Sequence, residues 1–149
     1  MRWRVIEQPR FVEVGRRLFA DDERLRFHPN FDSCPTVDGE TLLLSSVLQY
    51  LEQPYAIVAA AARRCRYLLL DLTPVHDGPN DHLTVQTVPP SIYPARYPCW
   101  LFSEAKLLSQ LESGFEVVAA FDSHFSPDVR AGATRARYRG YLLERRKAL

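Results

Sequence analysis

The stretch Glu40-Thr41-Leu42-Leu43-Leu44-Ser45-Ser46-Val47-Leu48-Gln49-Tyr50-Leu51 constrains this chain more than any other. Apolar or β-branched residues run from Thr41 to Leu44 without a polar break, and then two serines arrive together. A short continuous apolar run fits a strand covered on both faces, as in the middle of a parallel sheet. The serines mark where that strand leaves the core. In open α/β sheets ligands collect in the crevice beyond the carboxyl ends of the strands. The chain is therefore expected to be organised around one buried strand whose exit, Ser45 to Tyr50, faces a site. An ordinary core strand or the start of a buried helix is the alternative reading of the same residues.

Composition narrows the function classes. A length of 149 residues suits one domain over 1–149, with 46% hydrophobic and 25% charged residues, a globular balance. A formal charge of +1 makes no case for nucleic acid or an anionic membrane. No apolar run is long enough to span a bilayer, and the N-terminus lacks a signal-peptide core, so a cytoplasmic location is expected. Cys34, Cys65 and Cys99 are widely spaced, which suits a reducing compartment and argues against disulfides and a metal site.

Taken in order, Trp3-Arg4-Val5-Ile6 reads as a strand, and Pro9 opens a helix to Ala20 with Phe11, Val14 and Leu18 at helical spacing. Leu25 to His28 reads as a short strand ending at Pro29, and Asn30 to Glu40 as loop. After the central strand, Pro54 to Arg64 predicts a helix ending in cations. Tyr67 to Leu72 predicts a second buried strand, adjacent and parallel to Leu42–Leu44 and closed by Thr73-Pro74. A proline-rich crossover runs from Val75 to Trp100. Ser103 is placed to cap a helix through Leu107, Leu108 and Leu111, with Gly114 as its stop. Phe115 to Phe121 and Ala133 to Glu144 read as an antiparallel hairpin. The arginine alternation of its second strand suggests a wet face near a sheet edge. Alternating strands and helices imply an α/β fold, mostly parallel, with a C-terminal antiparallel hairpin.

Glu7 is the sharpest single position. An acidic residue at the carboxyl end of a strand, just before a helix, is how nucleotide folds hold ribose hydroxyls. A first-turn carboxylate that only favours the helix dipole is the plainer reading. The glycines are all isolated, so the glycine-rich turn that accompanies such an acid is not in this chain. His76, Asp77, Asp81 and His82 bunch in one loop, where they suit a general base or a solvated loop. From Gln86 to Trp100, prolines hold an extended backbone with Tyr93, Tyr97 and Trp100 among them, an aromatic wall suited to a substrate pocket.

Val5-Ile6-Glu7-Gln8-Pro9, Ser45-Ser46-Val47-Leu48-Gln49-Tyr50-Leu51, Thr73-Pro74, Gln86, Ser91-Ile92-Tyr93-Pro94, Tyr97-Pro98 and Trp100 together resemble a bacterial group of class I S-adenosylmethionine-dependent methyltransferases. The resemblance covers nearly the whole chain. It implies a Rossmann-like sheet of order 3-2-1-4-5-7-6, with S-adenosylmethionine as cofactor and a small molecule as methyl acceptor. Glu7, with Gln8, would hold the cofactor ribose. Ser45 and Ser46 would lie beside its methionine part, and Asn30 to Asp32 near the adenine. Gln49, Tyr50, Tyr97 and Trp100 would line the substrate side, with His76 or Tyr93 as the base. Such enzymes begin with a strand, a glycine-rich turn and a helix that would fall before Met1. The chain is thus expected to lack the first strand and to act as a truncated enzyme. Direct pairing of the second and fourth strands, or a homodimer, would close the gap. The rival reading is a non-catalytic domain of the same fold that binds a partner protein.

Overall fold

The computed structural model describes residues 1–35, 39–124 and 129–146. Parts of the expected 30–40 loop and of the loop before the last strand lie outside the described residues. Packing divides the chain into two units, Met1–Thr36 and Val37–Leu149.

The first unit is a strand–helix–strand: β1 (Trp3–Ile6), α1 (Pro9–Leu18) and β2 (Leu25–His28). Pro9 starts the helix where its missing N–H costs nothing, and Arg16 and Arg17 sit in the last turn, where cations suit the dipole. β1 and β2 pair in parallel from Trp3↔Leu25 to Ile6↔His28, which the helical crossover permits. Gly15 brings α1 close to β2. A Cβ there would lie 2.4 Å from the Phe27 ring, so only glycine allows this approach.

The second unit holds β3 (Thr41–Ser45), a 3-10 turn (Leu48–Tyr50), α2 (Pro54–Arg64), β4 (Tyr67–His76), β5 (His82–Val88), β6 (Ala95–Ser103), α3 (Glu104–Glu112), β7 (Phe115–Asp122), β8 (Val129–Ala131) and β9 (Thr134–Arg145). β3 pairs with β4 in parallel, Leu42↔Leu68 to Leu44↔Leu70, as the two apolar runs predict. β9 lies antiparallel between β4 and β7. The order β3-β4-β9-β7 matches the 4-5-7-6 half of the order implied by the resemblance. Leu44, Leu68, Leu70, Phe102 and Leu143 on the sheet meet Val58 of α2 and Leu107 and Leu111 of α3 in the core. Ser103 caps α3 by accepting from the Lys106 main-chain N–H at 3.4 Å.

Four expectations need correction. The sheet is mixed and not mostly parallel, because β4–β9, β5–β6, β7–β9 and β8–β9 are all antiparallel. β3 is not covered on both faces: Leu44 is buried while Leu43 is 40% exposed. β4 does not stop at Thr73-Pro74 but runs on to His76, and the proline-rich passage after it forms the β5–β6 hairpin. β9 is an inner strand, and two of its arginines are ion-paired: Arg137 with Asp77 and Glu104, Arg139 with Asp122 at 2.8 Å. Among the described residues β1 pairs with β2, and β3 with β4.

The two faces of β3 set a test. Leu68→Ala, in the core, is expected to cost about 2–5 kcal/mol. Leu43→Ala is expected to cost less than about 1 kcal/mol. Urea unfolding midpoints of the two variants measure the contrast.

Candidate functional site

The carboxyl end of β3, beside the middle of β4, carries a tightly constrained polar group. On one side β4 is bonded to β9. On the other it is bonded first to β3, through Ser45↔Asp71, and then to β6, from Val75↔Phe102. Between these partners the ladder is broken at Leu70/Thr73, and Leu72 takes a left-handed φ of 49°. Ser46, one residue past the end of β3, is left-handed too, with φ 55°. A leucine in that region is a genuine outlier, and such strain persists only where surroundings over-determine it.

Here they do. The Ser46 N–H donates to the Asp71 carbonyl at 2.9 Å. The Gln49 amide, 1% exposed, donates to the Leu72 carbonyl and to Ser46 Oγ, both at 3.2 Å. Ser123 Oγ accepts the Leu72 N–H at 3.1 Å and donates to Asp71 Oδ1 at 2.7 Å. Asp71 Oδ2 has only a long contact from Ser45 Oγ at 3.5 Å. Among the described residues this half-buried carboxylate has no cationic partner, and the buried carbonyl of Gln49 has no donor. Both are acceptors with capacity to spare.

The hairpin stands beside this group. Tyr50, at the end of the 3-10 turn, donates to Gln86 of β5 at 3.0 Å and meets the Tyr97 ring of β6 edge-on at 5.3 Å. Burial and a hydrogen bond with Tyr93 push the Tyr97 hydroxyl above its usual range. Trp100 ties the base of the hairpin down by donating to the Leu51 carbonyl at 3.1 Å. Farther along, Asp81 accepts from the Ser103 N–H, the Tyr55 hydroxyl and Lys106, whose ammonium lies 2.6 Å away. Asp81, Tyr55 and Lys106 border a cavity of about 420 Å³ with Glu52, Pro54 and Trp100.

Of the expected residues, Ser45, Ser46, Gln49, Tyr50, Tyr97 and Trp100 lie along this one exit. Glu7 and Gln8 belong to the first unit. There Glu7 follows β1 as expected, exposed, with Oε2 accepting the Gln8 N–H at 2.9 Å. His76 and Tyr93 are not brought together. His76 pairs with Ser103 at the base of the hairpin. Tyr93 lies at its tip, beyond Ala95, and is 52% exposed, roughly 25 Å of strand away. The His76 ring is buried and Nδ1 accepts the Gly78 N–H at 3.0 Å. A neutral imidazole bonded this way carries its proton on Nε2, which has no partner among the described residues. It is a donor in this arrangement and offers no lone pair for a base. A Cβ at Gly78 would meet the ring at 2.9 Å, so the glycine permits the contact.

Sequence reasoning missed Asp71, Leu72 and Ser123. An aspartate inside the apolar run Tyr67–Leu72 was the available signal for the first. Nothing local marks Ser123, which arrives from the end of β7. Among the described residues no group of three or more His, Cys, Asp or Glu is placed to hold a metal, and no helix is long and apolar enough to cross a membrane.

Three outcomes follow from these contacts and from the burial of Cys99 on β6. Ser46→Gly and Ser46→Ala both lose the Gln49 bond, but only alanine keeps the strain. The glycine variant is expected to be the more stable by about 1–2 kcal/mol in denaturant titration. Burial pushes the Cys99 thiol up to about 11. The unfolded thiol ionises near 9, so stability is expected to fall as pH rises from there towards 11. At pH 8 alkylation of native Cys99 is expected to be far slower than in urea, read by peptide mass spectrometry.

No protein-family model and no curated protein sequence matches the chain. Solved structures do. The N-terminal domain of EvdMO1, solved with SAH bound, superposes with a TM-score of 0.62 at 14% identity, over 99% of this chain and 66% of that one. The glycopeptide N-methyltransferase MtfA, complexed with S-adenosyl-L-homocysteine, gives 0.59 at 14% identity, over 96% and 73%. A SAM-dependent methyltransferase from Methanosarcina mazei gives 0.57 at 11%, over 95% and 79%. The chain spans about two thirds to four fifths of the length of these structures, and over that span it has the fold of S-adenosylmethionine-dependent methyltransferases.

Proposed function

We propose that the chain belongs to an S-adenosylmethionine-dependent methyltransferase acting on a small molecule, with Asp71 as the residue that takes the acceptor's proton. The observation that carries this reading is the strained exit of β3 beside the break in β4. Ser46 and Leu72 are locked together there, and Asp71 is left with spare acceptor capacity. In the first unit taken by itself, one residue suits part of the cofactor's chemistry. The exposed carboxylate of Glu7 can accept from both hydroxyls of a ribose diol. The orphaned Gln49 carbonyl suits an N–H or O–H donor of a bound ligand. Bound, the cofactor supplies an electrophilic methyl group on a sulfonium.

The chain's own residues would then align and deprotonate the acceptor. Ser123 fixes one oxygen of Asp71, and the other faces Ser45 with a lone pair to spare. A carboxylate held in this way can accept the proton of a hydroxyl or ammonium group, a step typically worth 10²–10⁴-fold in rate. His76 is the weaker candidate because Nδ1 is taken, and Tyr93 because it stands at the exposed hairpin tip. Tyr50, Tyr97 and Trp100 would form the wall against which the acceptor's apolar body lies.

Calorimetric titration with S-adenosylhomocysteine tests the cofactor assignment. A charged hydrogen bond contributes about 1.5–3 kcal/mol, whereas a micromolar site needs about 8 kcal/mol. Without a glycine-rich turn, binding weaker than micromolar is expected for these 149 residues. Glu7→Ala should weaken it by at least about tenfold, and unchanged affinity would remove the ribose role. Asp71→Asn should leave cofactor affinity intact while lowering transfer of a labelled methyl group to hydroxyl or amine acceptors by about 10²-fold or more. Full transfer by that variant would remove Asp71 as the base.

A further inference from the structure

The β5–β6 hairpin has two faces, and only one of them serves the strand-exit site. Gln86 and Tyr97, directly opposite each other on the inner face, hold Tyr50. Side chains two apart on a strand share a face, so Leu83, Val85 and Thr87 stand on the other one. Leu83 is 57% and Val85 58% exposed, and Thr87 is exposed beside them. Two apolar side chains thus face water on a strand at the end of the sheet, since β5 pairs with β6 alone among the described residues.

The backbone of that outer edge is open too. An antiparallel ladder alternates pairs that exchange both N–H···O bonds with pairs whose N–H and C=O groups point away from each other. Pro98, opposite Val85, has no N–H to exchange, which makes Val85↔Pro98 a pair of the second kind. The Thr84 hydroxyl donates to the Cys99 carbonyl at 2.8 Å, so that carbonyl faces β5 and Thr84↔Cys99 is a pair of the first kind. Counting in twos, Leu83, Val85 and Thr87 turn their N–H and C=O groups outward. Among the described residues none of these groups has a partner. Native edges are guarded by lysine, proline, inward-pointing charge or a bulge. His82–Val88 contains no Asp, Glu, Lys, Arg or Pro, and its register with β6 runs unbroken from His82↔Leu101 to Val88↔Ala95. An open edge of this kind takes up a further strand.

We propose that this strand is β5 of a second copy of the chain, paired antiparallel across a two-fold axis at Val85. In that register Val85 meets Val85 of the other copy, and Leu83 meets Thr87. Every outward N–H and C=O on both edges then finds its complement. Sliding by one residue sets outward groups against inward-turned ones, and sliding by two leaves groups unmatched at both ends. Leu83 and Val85 of the two copies form one apolar patch. Neither edge carries a formal charge, so the copies meet without repulsion. The edge is about 24 Å long and a sheet about 10 Å deep, so each copy covers a few hundred Å² of the other, the size of a transient interface. The dimer is therefore concentration-dependent.

Sedimentation velocity of the full chain at increasing concentration, with amide hydrogen exchange, tests the pairing. A monomer–dimer equilibrium is expected, with the Leu83, Val85 and Thr87 amides exchanging more slowly at high concentration than at low. Val85→Lys sets like charges on the axis and should weaken dimerisation at least about tenfold. Val118→Lys, at an equally exposed position on β7, should not. Val85→Cys places two thiols on the axis with Cα atoms about 5.5 Å apart, inside the range a disulfide spans. The native Cys34, Cys65 and Cys99 are buried. Oxidation should give a covalent dimer of Val85→Cys, and of Leu83→Cys mixed with Thr87→Cys, but not of Leu83→Cys alone. If Val85→Lys unfolds, the cysteine variants decide. A chain that stays monomeric, a dimer that Val85→Lys leaves intact or Val118→Lys weakens equally, or cross-linking of Leu83→Cys as fast as Val85→Cys overturns the proposal. A monomer whose β5 amides are protected by an added extended peptide also overturns it, in favour of a foreign strand. S-adenosylhomocysteine binding is read in a separate titration, so either assignment can fail alone.

Discussion

Every feature of the candidate site depends on how β4 satisfies its backbone. A buried strand must find partners along both edges, because orphaned N–H and C=O groups are costly away from water. β9 fills one edge. On the other, β3 is too short to accompany β4 to its end, and β6 takes over near His76. At the hand-over the strand partners fail, and side chains take their place: the Gln49 amide on the Leu72 carbonyl, and Ser123 Oγ on the Leu72 N–H. The left-handed turn at Leu72 is the geometric cost of that exchange. It leaves the Asp71 carboxylate half-buried beside Ser45 at the open end of the sheet.

The same gap explains the hairpin. β6 can pair with β4 only beyond the end of β3, so its earlier residues must run elsewhere, paired to β5. Tyr50 and Trp100 fasten that hairpin to the 3-10 turn after β3. An aromatic wall therefore rises where the sheet opens. Proline at positions 89, 90, 94 and 98 confines the extended backbone around the tip, and Pro98 is tolerated inside a strand that borders only one partner at that point.

Much of this was legible. Helix starts at Pro9, Pro54 and Ser103 follow from local rules about the first helical turn, which depend on few neighbours. The pairing of Leu42–Leu44 with Leu68–Leu70 follows from two matched apolar runs. Ser45, Ser46, Gln49, Tyr50, Tyr97 and Trp100, all singled out by the sequence, lie beside one another in the second unit. The misreadings share one cause. Thr73-Pro74 looks like a stop, and Gln86 to Trp100 like a crossover, because prolines argue against strands unless a strand edge happens to be free. Likewise the arginines of β9 suggest an exposed edge when their counter-charges are unknown.

Sequence alone determined what local chemistry determines: which segments are helical, which apolar runs can be buried, and where the chain leaves the sheet. Those properties rest on residues within a few positions of one another. Tertiary structure decided the rest. Asp71 became a candidate base only when Ser45, 26 residues earlier, and Ser123, 52 residues later, were brought to its two oxygens. Leu72 took its left-handed turn only where Gln49, 23 residues earlier, and Ser123, 51 residues later, reached its carbonyl and its N–H. A single side chain's reactivity is set by what faces it across strands, and sequence order does not encode those neighbours directly.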